Sequence, residues 1–388
     1  MSSAHGEEGG AVPPAQRSTW TSFIKSIASV SGDLSSLTAP PFILSPVSLT
    51  EFPAYWNERP ELFADIAGGK TPEARAELVL KWFLATLKGQ YMSRNETMGS
   101  EKKPLNPVLG EIFRGHWPDK NGRGKSVLLV EQVSHHPPIT AYWIRNATKG
   151  LTLQGFSGQK TSFSAGSIIV KQVGHAMLTI ELPSGGKEQY LITLPKLRID
   201  GLWYGSPYVE LTESSHIQSS TGWLATIEYK GKGYFSGKAH SFKATLVHNG
   251  ADAKHADTEH VYEGQWSETG KKHGGADAWL DVTPPKEEVT VAPLDKMTHP
   301  FESRKLWKLV AQGIKTGDFD LAARDKTRIE NEARQRRKDE QTAGTTWSLE
   351  YFDRLDNDPE YEILGKMFKA NPITEEVYAY KGPEDPLA

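Results

Sequence analysis

The 388-residue chain contains no cysteine. Disulfides and thiolate-held metal centres are excluded, and a reducing compartment is the natural expectation. Long apolar runs are missing too. A membrane-spanning helix needs roughly 18 or more apolar residues, and the best stretch, residues 78–87, is broken by Lys81. The first residues show no basic segment followed by an apolar one, so no secretory signal is expected. Neither sign of charge dominates: 45 basic and 48 acidic side chains leave a formal net charge of −3. So balanced a chain has no global attraction to nucleic acid or anionic lipid, and any anion site must be a local cluster. The expectation is a cytoplasmic protein without a nucleic-acid partner.

What the chain has is hydrophobic content of 37%, enough for a sizeable core, and 11 tryptophans, which suit aromatic ligand walls or membrane-interface contacts. The length allows two or three domains, or one large barrel.

Taken in order, residues 1–18 have no periodicity and read as disordered. Trp20, Phe23, Ile24, Ile27 and Val30 share one helical face, opposite mostly Ser and Thr with Lys25 as the lone charge. Such a helix either docks on the core or inserts into membranes through apolar contacts. Residues 50–91 read helical, with Thr71 as a cap, Pro72 at the first helical position, and a buried stripe at Leu78, Trp82, Phe83, Leu84 and Leu87. Between 111 and 266, short β-like runs alternate with turn signals without intervening helices, which predicts an antiparallel meander. Many strands in one sheet tend to close, and larger barrels enclose a cavity; a sandwich of the sugar-binding kind has the same periodicity. Residues 249–257 and 271–285 read as polar loops whose scattered histidines give no metal spacing. Helices return after Phe301. In the second of these, from about 321 to 340, Lys326, Glu330 and Arg334 are four apart and lie on one face. As residues alone they make a solvated, ion-paired helix.

The most unusual stretch is EQVSHHPP, residues 131–138. Both flanks, VLLV before and ITAYWI after, are strand-like. Pro137 and Pro138 stiffen the joint and hold His136 extended, leaving His135 and His136 on a rigid corner. Adjacent imidazoles on extended backbone diverge, which argues against a shared metal. Residue chemistry leaves open a proton relay, an anion site, or a turn with solvated histidines. No Gly-x-Ser-x-Gly elbow accompanies the corner.

This octapeptide resembles the signature of the oxysterol-binding protein family, carriers of sterols and phosphoinositides. Residues 20–49, 93–113 (SRNETMGSEKKPLNPVLGEIF) and 233–243 (GYFSGKAHSFK) also resemble family blocks, in the family's order. The resemblance spans about residues 20–345 and is nearest to the short members that consist of the lipid-binding domain alone.

The resemblance implies an α+β fold: a large, near-complete antiparallel β-barrel around a lipid tunnel, with an N-terminal lid and flanking N- and C-terminal helices. It implies a lipid-binding domain over residues 19–345, with the lid at 19–48, a helical region at 50–92, the barrel at 105–266 and C-terminal helices at 301–342. Residues 346–388 are expected as a divergent segment without a closing Trp-rich helix. Trp20, Phe23, Ile24 and Ile27 would face the tunnel from the lid. Trp56, Gln90, Tyr91 and Gln172 would line its floor and reach a sterol hydroxyl. Lys103, His135, His136, Lys326, Glu330 and Arg334 would hold a phosphoinositide headgroup. Ser157 departs from the pattern, standing where well-known sterol-binding members carry asparagine.

The function implied is non-enzymatic transfer, with no cofactor. A sterol (ergosterol or cholesterol) and phosphatidylinositol 4-phosphate would be exchanged during transient, peripheral contact with Golgi, endoplasmic reticulum or plasma membrane. A lipid sensor without net transport, or a lipid hydrolase using the paired histidines, are the alternatives.

Overall fold

The computed structural model describes residues 17–30, 34, 40–98, 102–135, 137–232, 237–248 and 260–387. The expected disordered stretch 1–18, apart from Arg17 and Ser18, lies outside them, as do the loop at 249–257 and His136.

The N-terminal part is helix α1 (Arg17–Ser29), strand β1 (Leu44–Ser48), a 3-10 helix (Leu49–Asn57), α2 (Pro60–Asp65) and α3 (Pro72–Met98). As expected, Thr71 starts α3, its hydroxyl accepting from Ala74 N at 3.1 Å. Strand β2 (Lys103–Leu105) then pairs in parallel with β1.

The main sheet contains β3 (Ile112–Trp117), β4 (Ser126–His135), β5 (Pro138–Asn146), β6 (Leu151–Ser164), β7 (Ser167–Glu181), β8 (Lys187–Thr193) and β9 (Lys196–Asp200). It continues with β10 (Tyr208–Thr212), β11 (Ser214–Ser219), β12 (Trp223–Lys230), β13 (Ser241–His248), β14 (Val261–Gln265), β15 (Thr269–Lys272) and β16 (Ala278–Asp281). These 14 strands form one antiparallel sheet running from β3 to β16, with β9 and β10 branching from β7. The predicted meander is therefore the fold's main body. It extends past residue 266, because β15 and β16, the last two strands of the sheet, are four residues each and mostly exposed, so that they read as loop.

Between the two edges, residues 282–290 span the gap. Thr290 exchanges backbone bonds with His116 of β3, and Glu287 N donates to Glu58 O. Arg59 holds the same segment through the carbonyls of Val282 and Pro284. The barrel is near-complete, closed by a strap rather than by a strand pair.

Its interior is not empty. Helix α3 runs through it, with Val79, Leu80, Phe83, Leu84 and Leu87 fully buried among the inward residues of β4 to β14. The apolar content on several faces of this helix follows from that position, since it has barrel wall around it. Space remains beside the end of α3, near Gln90 and Tyr91.

The C-terminal helices are α4 (Ser303–Leu306), α5 (Lys308–Thr316) and α6 (Phe319–Ala343), broken at Trp307 and at left-handed Gly317. Buried Ala322 and Ile329 of α6 join the apolar cluster containing Trp20, Ile24, Ile27 and Leu105. The end of α6 is pinned: Arg336 stacks between Phe301 (4.5 Å) and Trp347 (4.6 Å) and donates to Leu109 O at 2.8 Å. Trp347 in turn covers Gly110, where any Cβ would lie 2.1 Å from its ring.

Residues 346–387 pack along the barrel's outer face. Strands β17 (Phe352–Leu355) and β18 (Val377–Tyr380) pair with each other, with α7 (Pro359–Met367) between them. Phe352, Val377 and Tyr378 bury against Val127, Leu129, Ala141 and Phe156, and Tyr380 stacks on Trp143 at 4.2 Å. The Glu131 carboxylate, first residue of the octapeptide, accepts from the backbone N–H groups of Glu350 and Tyr351. The segment has no Trp-rich helix among the described residues; it is a belt of one antiparallel strand pair with a helix between the strands. Among the described residues no helix is long and apolar enough to cross a membrane.

Candidate functional site

The barrel holds two chambers in line. The inner one, ≈150 Å³, lies beside the end of α3. The outer one, ≈190 Å³, opens toward α1. Phe52, Lys103, Pro104, Gln159, Thr161 and Leu197 face both, so the two form one tunnel. Each chamber alone is small against the ~300–1,000 Å³ of typical small-molecule sites; their continuity makes room for an elongated ligand.

All four predicted floor residues, Trp56, Gln90, Tyr91 and Gln172, line the inner chamber. Gln172 Nε2 donates to the Tyr91 hydroxyl at 2.5 Å and to Pro195 O at 3.1 Å. Gln90 Nε2 donates to Thr86 Oγ1 at 2.7 Å. Trp56 is clamped between Trp82 (5.5 Å) and Tyr142 (6.1 Å), and its carbonyl accepts from the Trp82 indole at 3.0 Å. These are preorganised polar groups on an aromatic floor, the arrangement that orients an apolar ligand by one polar end.

Sequence reasoning missed Tyr142. Among the described residues its buried hydroxyl has no hydrogen-bond partner, with the Trp56 side chain beside it. Burial pushes its phenol above the usual tyrosine range. The hydroxyl fits because residue 155 is glycine; a Cβ there would lie 2.7 Å from it. Also missed were Gln132 and Thr140, which bond each other at 2.6 Å, and Gln159 and Thr161 on β6. A signal existed: Ser157, Gln159 and Thr161 alternate, so three polar side chains share the face that should point inward.

Helix α1 roofs the outer chamber with Trp20, Phe23, Ile24 and Ile27, the four residues predicted for that role. Trp20, Ile24 and Ile27 are buried there, and the Trp20 indole donates to Leu202 O at 2.9 Å. Opposite stand Ile168, Val170 and Ile199 of β7 and β9. Removing α1 would uncover this apolar wall.

The predicted headgroup residues fall into three groups. Lys103, on β2, lines both chambers. Its neighbour Lys102 donates to Phe42 O at 3.0 Å, and burial lowers its pKa. His135 ends β4 opposite Pro138, itself a wall residue of the inner chamber. Lys326 and Arg334 both bind the Glu330 carboxylate, Arg334 at 3.5 Å, so this trio is one ion-paired stripe. None of the three lines either chamber. Their helix packs on the 3-10 turn Pro41–Ile43, which leads into β1 and hence to Lys103 across the β1–β2 pair. Helix α6 and the lysine strand are thus both joined to the segment 41–48. His136 lies outside the described residues.

A larger cleft, ≈950 Å³, lies elsewhere, between the 3-10 helix Leu49–Asn57 and α5. Two of its cations are committed: Arg304 binds Glu51 at 2.8 Å and Lys286 binds Glu58 at 2.9 Å.

Comparison with known proteins places this geometry. Residues 20–312 match the oxysterol-binding protein family. Protein KES1 of Mycosarcoma maydis is 56% identical over 97% of this chain and 99% of its own length. Among solved structures, the Osh1 ORD domain in complex with ergosterol superimposes with a TM-score of 0.68 at 21% identity, covering 94% of this chain and 86% of that one. The Osh3 ORD from Saccharomyces cerevisiae, in complex with PI(4)P, gives 0.69 at 22% identity over 97% and 93%. The likeness to KES1 covers nearly the whole chain, the outer belt included, and with the family match it fixes the assignment: this protein belongs to the oxysterol-binding protein family.

Proposed function

We propose that this chain is a lipid-transfer protein that carries a sterol and phosphatidylinositol 4-phosphate in turn, exchanging one for the other at membranes. The observation that carries the reading is the continuous tunnel, mostly apolar in its outer chamber, polar toward its floor and roofed by a single amphipathic helix. Related folds hold ergosterol in one case and PI(4)P in another, which supports two ligands for one fold.

In this reading the sterol enters hydroxyl first. The Gln172–Tyr91 pair, Gln90 and Tyr142 supply the polar contacts at the floor, and Trp56 and Phe52 flank the rings. The phosphoinositide binds the other way up. Its acyl chains occupy the tunnel while the phosphorylated ring stays at the rim. There Lys103, His135, Lys326 and Arg334 supply donors, and Glu330 orients the cations and accepts ring hydroxyls. The ligands share the tunnel volume, so occupancy is exclusive. Sterol preference rests on the floor, where Ser157 stands in place of the asparagine implied by the resemblance to well-known sterol-binding members, beside Tyr142 and Gln172 in the same lining. No bond is made or broken. Helix α1 must lift for either ligand to pass, which is a gating step rather than a chemical one.

Two vesicle populations, one loaded with sterol and one with phosphatidylinositol 4-phosphate, test the reading. The protein should move both lipids in opposite directions. A charge-assisted hydrogen bond contributes ~1.5–3 kcal/mol. Lys326→Ala and His135→Ala should therefore each lower phosphoinositide extraction roughly ten- to hundredfold and leave sterol extraction near wild type. Binding without net movement would reduce the protein to a sensor. Undiminished phosphoinositide extraction by both variants would remove the headgroup site.

A further inference from the structure

The two largest exposed aromatics of the described residues are neighbours: Trp203 is 56% exposed and Tyr204 89%. They form the tip of a 3-10 turn, Leu202–Tyr204, between Gly201 and Gly205, both left-handed with φ of 73° and 70°. A side chain at Gly201 is blocked as well, since its Cβ would lie 2.1 Å from Ser206 O. The turn is thus built into a fixed shape, yet its two apolar side chains point away from the core. A folded protein gains no stability from holding a tryptophan and a tyrosine in water, so the pair calls for a partner surface.

The turn's position says which. Leu202 and Pro207 belong to the wall of the outer chamber, and Leu202 O is the acceptor for the Trp20 indole of α1. Beside it stands the tip of the β6–β7 hairpin, with Phe163 edge-on to Trp203 at 6.4 Å and Gly166 against the Trp203 indole. Three segments therefore meet at the tunnel's mouth: α1, the hairpin tip and the aromatic turn.

Their charge differs from that of the whole. Residues 17–30 carry Arg17 and Lys25, residues 160–171 carry Lys160 and Lys171, and residues 201–207 carry no charge. No acid occurs in the three segments, although the chain as a whole is at −3. Lys160 is paired with Glu375, and the nearest strand acid, Asp200, is paired with Arg198 at 2.8 Å. A mildly cationic rim around an exposed Trp–Tyr pair matches the phosphate and interfacial layers of a bilayer, where amphipathic aromatic rings partition.

We propose that the Trp203–Tyr204 turn, braced by the β6–β7 hairpin, is a membrane-docking element that seats the tunnel mouth on a phospholipid bilayer. The proposal rests on the carrier reading only for its purpose; docking itself needs just the exposed pair and the rim charge. Affinity comes mainly from aromatic insertion, with a modest dependence on salt.

The test is flotation of the full-length protein with vesicles of phosphatidylcholine containing a minor share of phosphatidylserine. Trp203→Ala/Tyr204→Ala should lower the bound fraction about tenfold or more, because two interfacial aromatic burials are lost. Both side chains are exposed, so the variant should fold, and its uptake of sterol delivered on cyclodextrin, without membrane, should equal wild type. Brominated phosphatidylcholine should quench wild-type indole emission more than that of Trp203→Phe. Equal flotation of variant and wild type overturns the proposal. So does a concentration-dependent dimer that the double variant abolishes while flotation is unchanged, since the pair would then serve a second copy of the chain. Should the wild type float yet take up neither lipid from a soluble carrier, docking stands and the carrier reading falls.

Discussion

The Trp20 indole N–H donates to the Leu202 carbonyl at 2.9 Å, joining the roof helix to the wall it must leave. Most of α1's remaining hold on the barrel is apolar contact from Ile24, Ile27 and Phe23. Trp20→Phe keeps the ring and removes the donor. A neutral hydrogen bond is worth about 1 kcal/mol. The variant should lose about that much stability at most, while stopped-flow sterol loading from cyclodextrin accelerates severalfold. An unchanged loading rate would show that α1 does not gate the tunnel.

Tyr142 offers the opposite balance. Its hydroxyl is buried without a partner among the described residues, so Tyr142→Phe removes an unsatisfied group and should leave thermal stability equal or higher. If the hydroxyl waits for a ligand, sterol affinity falls about tenfold in the same variant, with phosphoinositide extraction unaffected. Higher stability together with undiminished sterol affinity would make the residue part of the core only.

Much of this site was legible in the sequence. The octapeptide, the lysine loop and the Lys–Glu–Arg spacing are local patterns, and each survives as a local feature: the β4–β5 corner, the β2 strand and the ion-paired stripe on α6. The four roof residues were readable because helical periodicity exposes one face at a time. Tyr142 and Gln132 were not, because they sit on strands buried on both sides, with the outer belt behind and the 3-10 helix Leu49–Asn57 in front; alternation disappears when both faces are covered. The outer belt was illegible for a related reason. Its strands are four residues each, with polar or charged residues between the apolar ones, and their partners lie about 200 residues earlier in the chain. The Trp203–Tyr204 turn gave no signal at all, since Gly-Leu-Trp-Tyr-Gly reads equally as core or surface.

A pH effect follows from Glu58. Burial pushes its carboxyl up to about 7, outweighing the opposing pull of Lys286 at 2.9 Å. A carboxyl that holds its proton more tightly folded than unfolded makes the fold lose stability as pH rises from its ordinary value, about 4.5, toward 7. The loss is on the order of 3 kcal/mol and levels off above pH 7. Urea melts of wild type and Glu58→Gln at pH 5 and pH 8 check this. The glutamine variant should be the more stable at pH 8, and the gap should close at pH 5. A gap that instead widened toward pH 5 would reverse the assignment.

The outer belt should be structural. Phe352 is fully buried against the outer face of β4 and β5, so Phe352→Ala should cost ~3–5 kcal/mol. Chemical denaturation measures it, and the change should leave the ratio of sterol to phosphoinositide binding unaltered in the folded fraction. A cost within 1 kcal/mol would mean that the belt adds little to the fold.

The central claim is that one tunnel serves two lipids, one at a time. Native mass spectrometry of the protein incubated with excess sterol and phosphatidylinositol 4-phosphate together reads this directly. The account predicts two singly loaded species, one per lipid, whose proportions shift as either lipid is titrated. A species carrying both lipids at once, or uptake of neither, would contradict it.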